Sequence, residues 1–426
     1  MDIEKIKNNK YVRYSAGFLL LVFLVFEASH RGDFKVFLEA AEAVNAHKNV
    51  YVLWLSNSCC QYYYSPFFAM ILIPFTYIPY YVVNFLWLSA NIYFLYRIWK
   101  FVSSKLDLSL FSAKEYRLFI VLAIALSIRF LLYNFDMVQM TIFLLWAMFE
   151  SLNLFEKKKN IQGALLLALV INIKIMPIAM IPYLLLRRKF IPVIWVILFS
   201  VVFVCIPAIF LGMDYNNFLL AAWFKAINPT NTEHNIDTYL GTQSLTSWLA
   251  PLLMHTGGEL TLKRNIANLD VSTVNWIINI ARAIFIGATL YFTGLTFFKV
   301  AKSKLRMIWE LSYIMLIIPL VFPHQQKYEF FLSFPALTYI AYFLIYHYHY
   351  KFLYFTKSKW VTCIVLLSVT FVLNTLTSDL FIGRHLSDIT QHYKSITYGT
   401  IVLAVLLGRC KPKYIESNSA YTESKT

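Results

Sequence analysis

Apolar runs of about 18 or more residues, the length a helix needs to cross ~30 Å of hydrocarbon, recur along the whole 426-residue chain, separated by short polar linkers. They predict spans at about 14–28, 117–133, 137–155, 190–212, 272–298, 308–322, 329–347, 360–375 and 395–409. Two stretches differ. The run 65–99 is interrupted by Pro66, Pro74 and Pro79, which remove backbone donors, so it predicts either two short helices or one span preceded by a segment dipping into the membrane. The run 161–186 carries Lys174 and Pro177 in its middle and a basic linker at each end. A pair of short helices turning near 172–177 returns both ends to one side. The sum is about ten to thirteen spans of an all-α polytopic transmembrane bundle. It forms one domain over 1–409, with a polar tail, 410–426, that lacks hydrophobic periodicity and is expected to be disordered.

Composition agrees, since 59% of residues are hydrophobic, mean hydropathy is +0.60 and only 14% are charged, against roughly 25% in soluble domains. A net charge of +16 would suggest nucleic acid in a soluble chain. Here the basic residues occupy short linkers and form no continuous face, so no nucleic-acid partner is expected. Lys157-Lys158-Lys159, Arg187-Arg188-Lys189, the group Lys299, Lys302, Lys304 and Arg306, the pair Lys357 and Lys359, and Arg409, Lys411 and Lys413 mark the cytoplasmic side. Lys5, Lys7, Lys10 and Arg13 precede the first run, and Glu27, His30 and Arg31 follow it where a signal peptide would have small residues. It is expected to stay as a span, with both termini cytoplasmic. The Lys- and Asn-rich composition without organelle signals points to a bacterial inner (plasma) membrane.

That orientation leaves 29–64, 133–137, the 172–177 turn, 213–271, 323–328 and 376–394 on the far side. Most of the isolated polar residues gather there: Asp33, Glu39, Glu42, Asn134, Asp136, Gln139, Lys174, Gln243, His324, Gln325, Gln326, Lys327 and Glu329. A site facing outward is the expectation. An intramembrane lysine such as Lys174 is a functional candidate, with snorkelling to headgroups as the alternative.

In the first outer loop Phe34, Phe37, Leu38, Ala41 and Val44 recur at helical spacing, with Lys35, Glu39 and Glu42 elsewhere on the wheel. The pattern predicts a short interfacial helix. Asp33 stands at its start, where an acid serves equally as a cap or as a charge set against the helix dipole, or as a working carboxylate.

The succession Gly32-Asp33-Phe34, Phe37, Ala40-Ala41, Asn49-Val50-Tyr51, then Tyr62-Tyr63-Tyr64-Ser65-Pro66-Phe67 running to Pro74 and Ile78-Pro79 resembles the opening of the polyprenyl-phosphate-mannose-dependent mannosyltransferase-like family, glycosyltransferase family 87, integral-membrane enzymes of the GT-C type. Val138-Gln139, Gly163, Lys174 and Pro177 resemble that family's Gly-Gln and Lys-x-x-Pro stretches. Gln243-Ser244-Leu245 and Pro323-His324-Gln325 match two later patterns. The likeness runs in order over about residues 10–345. Met137-Val138 stands where a glycine is expected beside Gln139, and Thr242-Gln243-Ser244 replaces Asn-Gln-Ser.

The resemblance implies a GT-C-type bundle that moves a sugar, mannose or another hexose, from a polyprenyl-phosphate donor to a hydroxyl of a glycan or glycolipid. An acid of the first outer loop is the general base of an inverting displacement, which places Asp33 in that role. The developing charge on the lipid phosphate calls for cationic partners. Lys174 is the first candidate, with His324 and Lys327 next. Asn134, Gln139, Gln243, Gln325 and Tyr64 are candidates for sugar or acceptor contacts. Asn134 and Gln139 serve equally as helix bridges, and aromatic residues such as Tyr62, Tyr63 and Tyr64 also form the ordinary interfacial belt. Arg129 is expected to pair with Asp136 or a lipid phosphate, and Glu233 and Asp237 to be solvated. No Gly-rich nucleotide loop is present, and no cofactor is expected.

Cys59-Cys60, Cys205, Cys363 and Cys410 give no disulfide framework, and adjacent cysteines rarely pair. His347 and His349 lack partners at zinc-ligand spacing. Asp33 with Glu39 could hold a divalent ion, but the resembled family is expected to work without a metal. A transporter or flippase would also bury Lys174, Asp136 and Gln139. Transporters show matching halves, and no such symmetry is visible. A scaffold without chemistry is the third reading.

Overall fold

The computed structural model describes residues 10–30, 32–56, 60–228, 237–294, 303–352 and 355–416. Among these the regular structure is helical, apart from isolated bridges between Leu55 and Cys60 and between Thr242 and Gln326. The helices are α1 (Lys10–Ser29), α2 (Phe34–Asn45), α3 (Pro66–Leu72), α4 (Tyr80–Ser103), α5 (Ala113–Asp136), α6 (Thr141–Glu156), α7 (Asn160–Ile173), α8 (Met180–Leu186), α9 (Phe190–Leu211), α10 (Met213–Ile227), α11 (Leu245–Leu253), α12 (Val271–Thr293), α13 (Lys304–Val321), α14 (Phe334–His349), α15 (Lys357–Phe371), α16 (Asp379–His392) and α17 (Ser395–Arg409).

Six of the described helical segments are long and apolar enough to cross a membrane alone: α1, α5, α9, α12, the segment Lys327–His349 that ends in α14, and Lys357–Leu376. The all-α polytopic bundle expected from the apolar runs is the architecture found. Length alone does not reach the expected count of spans, because several predicted crossings are shorter helices such as α6 and α17.

Packing follows composition. α9 is apolar on all sides, and most of its surface faces outward, as on a helix in contact with lipid. α14 is less apolar, with four tyrosines and two histidines, yet almost wholly buried, packed against α5 and α13 at the centre. α4, α6, α7 and α9 pack in succession, with α1 against α4. Gly163 allows the close approach of α7 to α6, since a Cβ there would come within 2.6 Å of the Phe155 ring.

The proline-broken run resolves as one long helix, α4, preceded by α3 and a 3-10 turn, Ile73–Tyr77. Ser65 caps α3 by accepting from Phe68 N at 3.2 Å, and Pro66 takes the first helical position, where no donor is needed. The 161–186 run breaks as predicted: α7 ends at Ile173, Lys174 is extended, and a 3-10 turn, Met176–Ala179, leads into α8. Two loops hold helices that span length could not reveal: α10 and α11 in 213–271, and α16 in 376–394, the last kinked at Gly383 (φ 74°). The start of the tail is packed, with Cys410 and Ile415 buried and Tyr414 against Phe355. Residues 417–426, with Arg31, Cys59, Glu233, Lys299 and Lys302, lie outside the described residues. Cys60 is disulfide-bonded, against the expectation of no bridge.

Candidate functional site

Asp33 is held by one face of α4. Tyr80, Asn84 and Trp87 stand at i, i+4 and i+7 of that helix. The Tyr80 hydroxyl accepts from Gly32 N at 3.0 Å and lies 3.2 Å from the His30 carbonyl. Asn84 Nδ2 donates to the Ala28 carbonyl at 3.3 Å, and Trp87 Nε1 to the Gln139 carbonyl at 3.2 Å. One helix face thus fixes both the Asp33 segment and the turn between α5 and α6. Asp33 N donates to the Met137 carbonyl at 2.9 Å. Glycine is required at position 32, because a Cβ there would lie 2.7 Å from a Val138 methyl carbon and 2.8 Å from the Met137 carbonyl.

Val138 stands at φ +50°, a conformation that costs a β-branched residue roughly 1–2 kcal/mol. This is the position where the resembled pattern has a glycine. The chain keeps the tight turn and bears its strain, and the turn carries Gln139 to Asp33.

Asp33 occupies the N-cap position of α2, yet its side chain makes no capping bond. It accepts instead from Gln139 Nε2 at 2.5 Å. Burial pushes the carboxyl up to about 6, while the Lys174 charge and the Gln139 hydrogen bond restrain the rise. α2 itself is not the interfacial helix expected: Phe34, Val36, Phe37, Leu38, Ala40, Ala41, Ala43 and Val44 are all buried, so it is packed into the protein.

Lys174 sits in the break after α7. Ser65 fixes that break, since its N–H donates to the Ile173 carbonyl at 3.3 Å and its hydroxyl to the Asn172 carbonyl. The ammonium does not snorkel outward. It pairs with Glu329, whose side chain is fully buried, and lies 5.0 Å from the centre of the Tyr64 ring and 5.8 Å from that of Tyr328.

These groups border a cavity of about 910 Å³, the size of a site for a sizeable ligand. Asp33, Tyr64, Gln139, Lys174, His324 and Gln325 are in its wall, with Trp54, Tyr62, Tyr63, Tyr133, Tyr239 and Tyr328 among the aromatic residues. Tyr62 and Tyr64 are buried and so are not part of an interfacial belt. His324, at φ +54°, stacks on Tyr63 with ring centres 4.9 Å apart and planes 11° from parallel. Its Nδ1 is 3.3 Å from the Asp237 carboxylate. Asp237 is therefore not solvated as expected but 7% exposed. Burial would raise its pKa, but the hydrogen bond and charge of His324 outweigh this and leave it below the usual carboxylate value.

The large loop is clamped over the cavity. Buried Lys394, pushed down to about 7 by burial, donates to the carbonyls of Tyr239 at 2.8 Å and Thr242 at 2.7 Å. Gln243 N donates to the Gln325 carbonyl at 2.8 Å.

Three predicted residues lie off the cavity wall. Asn134 Nδ2 bonds the carbonyls of Phe130 and Tyr328 at 2.8 and 2.9 Å. Gln243 Nε2 bonds those of Leu240 and Gln391 at 3.0 and 3.2 Å. Lys327 lies 4.4 Å from the centre of the Tyr133 ring, in a charged group with Arg129, Asp136 and Asp379. Arg129 does not pair with Asp136; its guanidinium bonds Thr377 Oγ1 at 2.7 Å and the Asn374 carbonyl at 3.0 Å. Glu39 does not join Asp33, being bonded to Ser56 N and 3.4 Å from Lys35. Among the described residues, one group has the ligand types for a metal ion, Glu27, His30 and Asp136, with ligand atoms within 4.8 Å of one another; none of the three is in the cavity wall.

Sequence reasoning did not single out Glu329 as a site residue. The signal was there: an acid two residues beyond the Lys327 end of an apolar run, opposite a lone intramembrane lysine.

The family model described as glycosyltransferase family 87 matches residues 62–323. The match includes Tyr64, Asn134, Gln139, Lys174 and Gln243; His324 directly follows it, and Asp33 lies outside it, in the segment before residue 62. No curated protein and no solved structure matches the chain.

Proposed function

The chain belongs to glycosyltransferase family 87, and on that premise we propose that this membrane glycosyltransferase moves a hexose, mannose first among the candidates, from a polyprenyl-phosphate donor to a hydroxyl of a glycan or glycolipid. Transfer takes place on the extracytoplasmic side of a bacterial inner membrane, where the Asp33 cavity opens, with the basic linkers and both termini on the cytoplasmic side. The bundle is then of the GT-C type, with one transmembrane domain over 1–409.

Asp33 is the general base. Its carboxylate takes the acceptor hydroxyl proton as that oxygen attacks the anomeric carbon, and the bond from that carbon to the phosphate oxygen breaks with inversion. The observation that carries this reading is the Asp33 side chain itself: it borders the cavity, leaves its own helix uncapped, and is held by Gln139 near Lys174. A carboxylate titrating near 6 is mostly ionised at neutral pH and remains a usable base. Lys174 and His324 offset the charge that develops on the lipid phosphate. Gln139, Gln325 and Tyr64 contact the sugar or acceptor. Asn134, Gln243 and Lys327 act from behind the wall, holding the elements that carry it.

The test is transfer in proteoliposomes holding the full chain, supplied with radiolabelled polyprenyl-phosphate mannose and a crude envelope extract of lipids and glycans. A labelled product formed only with the protein supports the reading. No product from mannose, glucose, galactose or arabinose donors in turn, with folded protein, would contradict it and favour transport of a lipid-linked substrate.

A further inference from the structure

Glu329 is fully buried on the 3-10 turn Lys327–Ser333. One of its oxygens pairs with Lys174, and the other, Oε2, has no hydrogen-bond partner. Among the described residues, the charged and titratable groups that face it are Lys174 from the break after α7, Asp33 from the start of α2, and the hydroxyls of Tyr64 and Tyr328. Of these only Lys174 carries positive charge. While the site is empty, that ammonium compensates two carboxylates.

A lipid-linked phosphate that reaches Lys174 adds a third anion around one cation. A buried carboxylate deprived of its partner is strongly disfavoured, and protonation removes the penalty. The two carboxylates differ in how they tolerate the loss. Asp33 borders the cavity and keeps the Gln139 hydrogen bond. Glu329 has no water-facing surface, and its Oε2 has no hydrogen-bond partner.

We propose that Glu329 is the positioning partner of Lys174: it holds the ammonium at the cavity wall in the empty site, and takes up a proton when a lipid-linked phosphate binds, which releases Lys174 to the phosphate oxygens. The exchange balances. One proton comes from solution to the Glu329 carboxylate, and an N–H···O bond to carboxylate is replaced by one to phosphate. Asp33 remains ionised as the base, so donor loading raises the positive charge available to the leaving group without consuming the base. The inference rests on the reading of Lys174 as the donor-phosphate cation.

The test is titration calorimetry of the full chain in nanodiscs with short-chain polyprenyl-phosphate mannose at pH 7, in two buffers of different ionisation heat. Native protein and Asp33→Asn should take up protons on donor binding, and Glu329→Gln close to none. Donor binding without proton uptake, or the same uptake in Glu329→Gln, would overturn the proposal while leaving the glycosyltransferase reading intact. Infrared difference spectra of the native chain with isotope-labelled glutamate provide a second readout that needs no variant. A protonated glutamic carboxyl band should appear on donor binding, and its absence would overturn the proposal. Failure of the native chain to bind any polyprenyl-phosphate sugar would instead remove the underlying functional reading.

Discussion

Two buried ion clusters sit toward opposite ends of α13, and their charge ratios are reversed. Near the basic linkers, Glu310 is shared by two arginines: Arg187 Nε bonds it at 3.0 Å and Arg306 Nε at 2.9 Å. At the other end, Lys174 stands against two carboxylates, Glu329 and Asp33. The first cluster ties the end of α8 to α13. The second borders a cavity of about 910 Å³ and leaves a carboxylate facing it. Burial of charge is thus common to both. A deficit of cations beside an open cavity distinguishes the one where chemistry is proposed.

Exchanges at the two clusters should differ in kind. Lys174→Met removes the cation that compensates Glu329 and Asp33, so turnover should fall on the order of 10²–10³-fold with weaker donor binding, and stability should fall as well. Transfer kinetics together with thermal unfolding would reveal it; near-native transfer would move the phosphate role to His324. Glu310→Gln leaves two arginines without their acid and should cost about 3–5 kcal/mol of stability, while each folded molecule keeps its transfer rate. Loss of activity beyond the loss of folded protein would break the contrast between the clusters.

Smaller effects sharpen the site itself. Because Asp33 must be ionised to accept a proton, activity should fall as pH drops through about 6, not near 4 as for an ordinary aspartate. A pH–rate profile flat down to pH 5 would exclude Asp33 as the base. Gln139→Leu removes the donor to the Asp33 carboxylate, so the acid limb should shift upward by about one pH unit, with only a few-fold loss of rate at pH 7.

The span pattern was legible because apolar length and basic linkers both depend on the membrane, and Ser395–Arg409 coincides with its predicted bounds. The helices α10, α11 and α16 were not, since short helices packed on protein need neither span length nor a clean apolar stripe. Within the site, Asp33, Gln139, Lys174 and His324 could be named because polar groups at span ends are costly without a use. Asn134 and Gln243 look identical to Gln139 in a sequence, and only their partners separate them: Gln139 meets a carboxylate, whereas the other two meet backbone carbonyls. Asp237 read as solvated because nothing local in its loop shows that His324 and Lys394 close around it.

The most direct test is single-turnover transfer from preloaded polyprenyl-phosphate sugar by the native chain and by Asp33→Asn, with donor affinity measured on both. The exchange keeps the volume and removes the base, so transfer should fall by a factor on the order of 10²–10⁴ while the donor still binds. Transfer by Asp33→Asn at the native rate would contradict the assignment of Asp33 as the catalytic base.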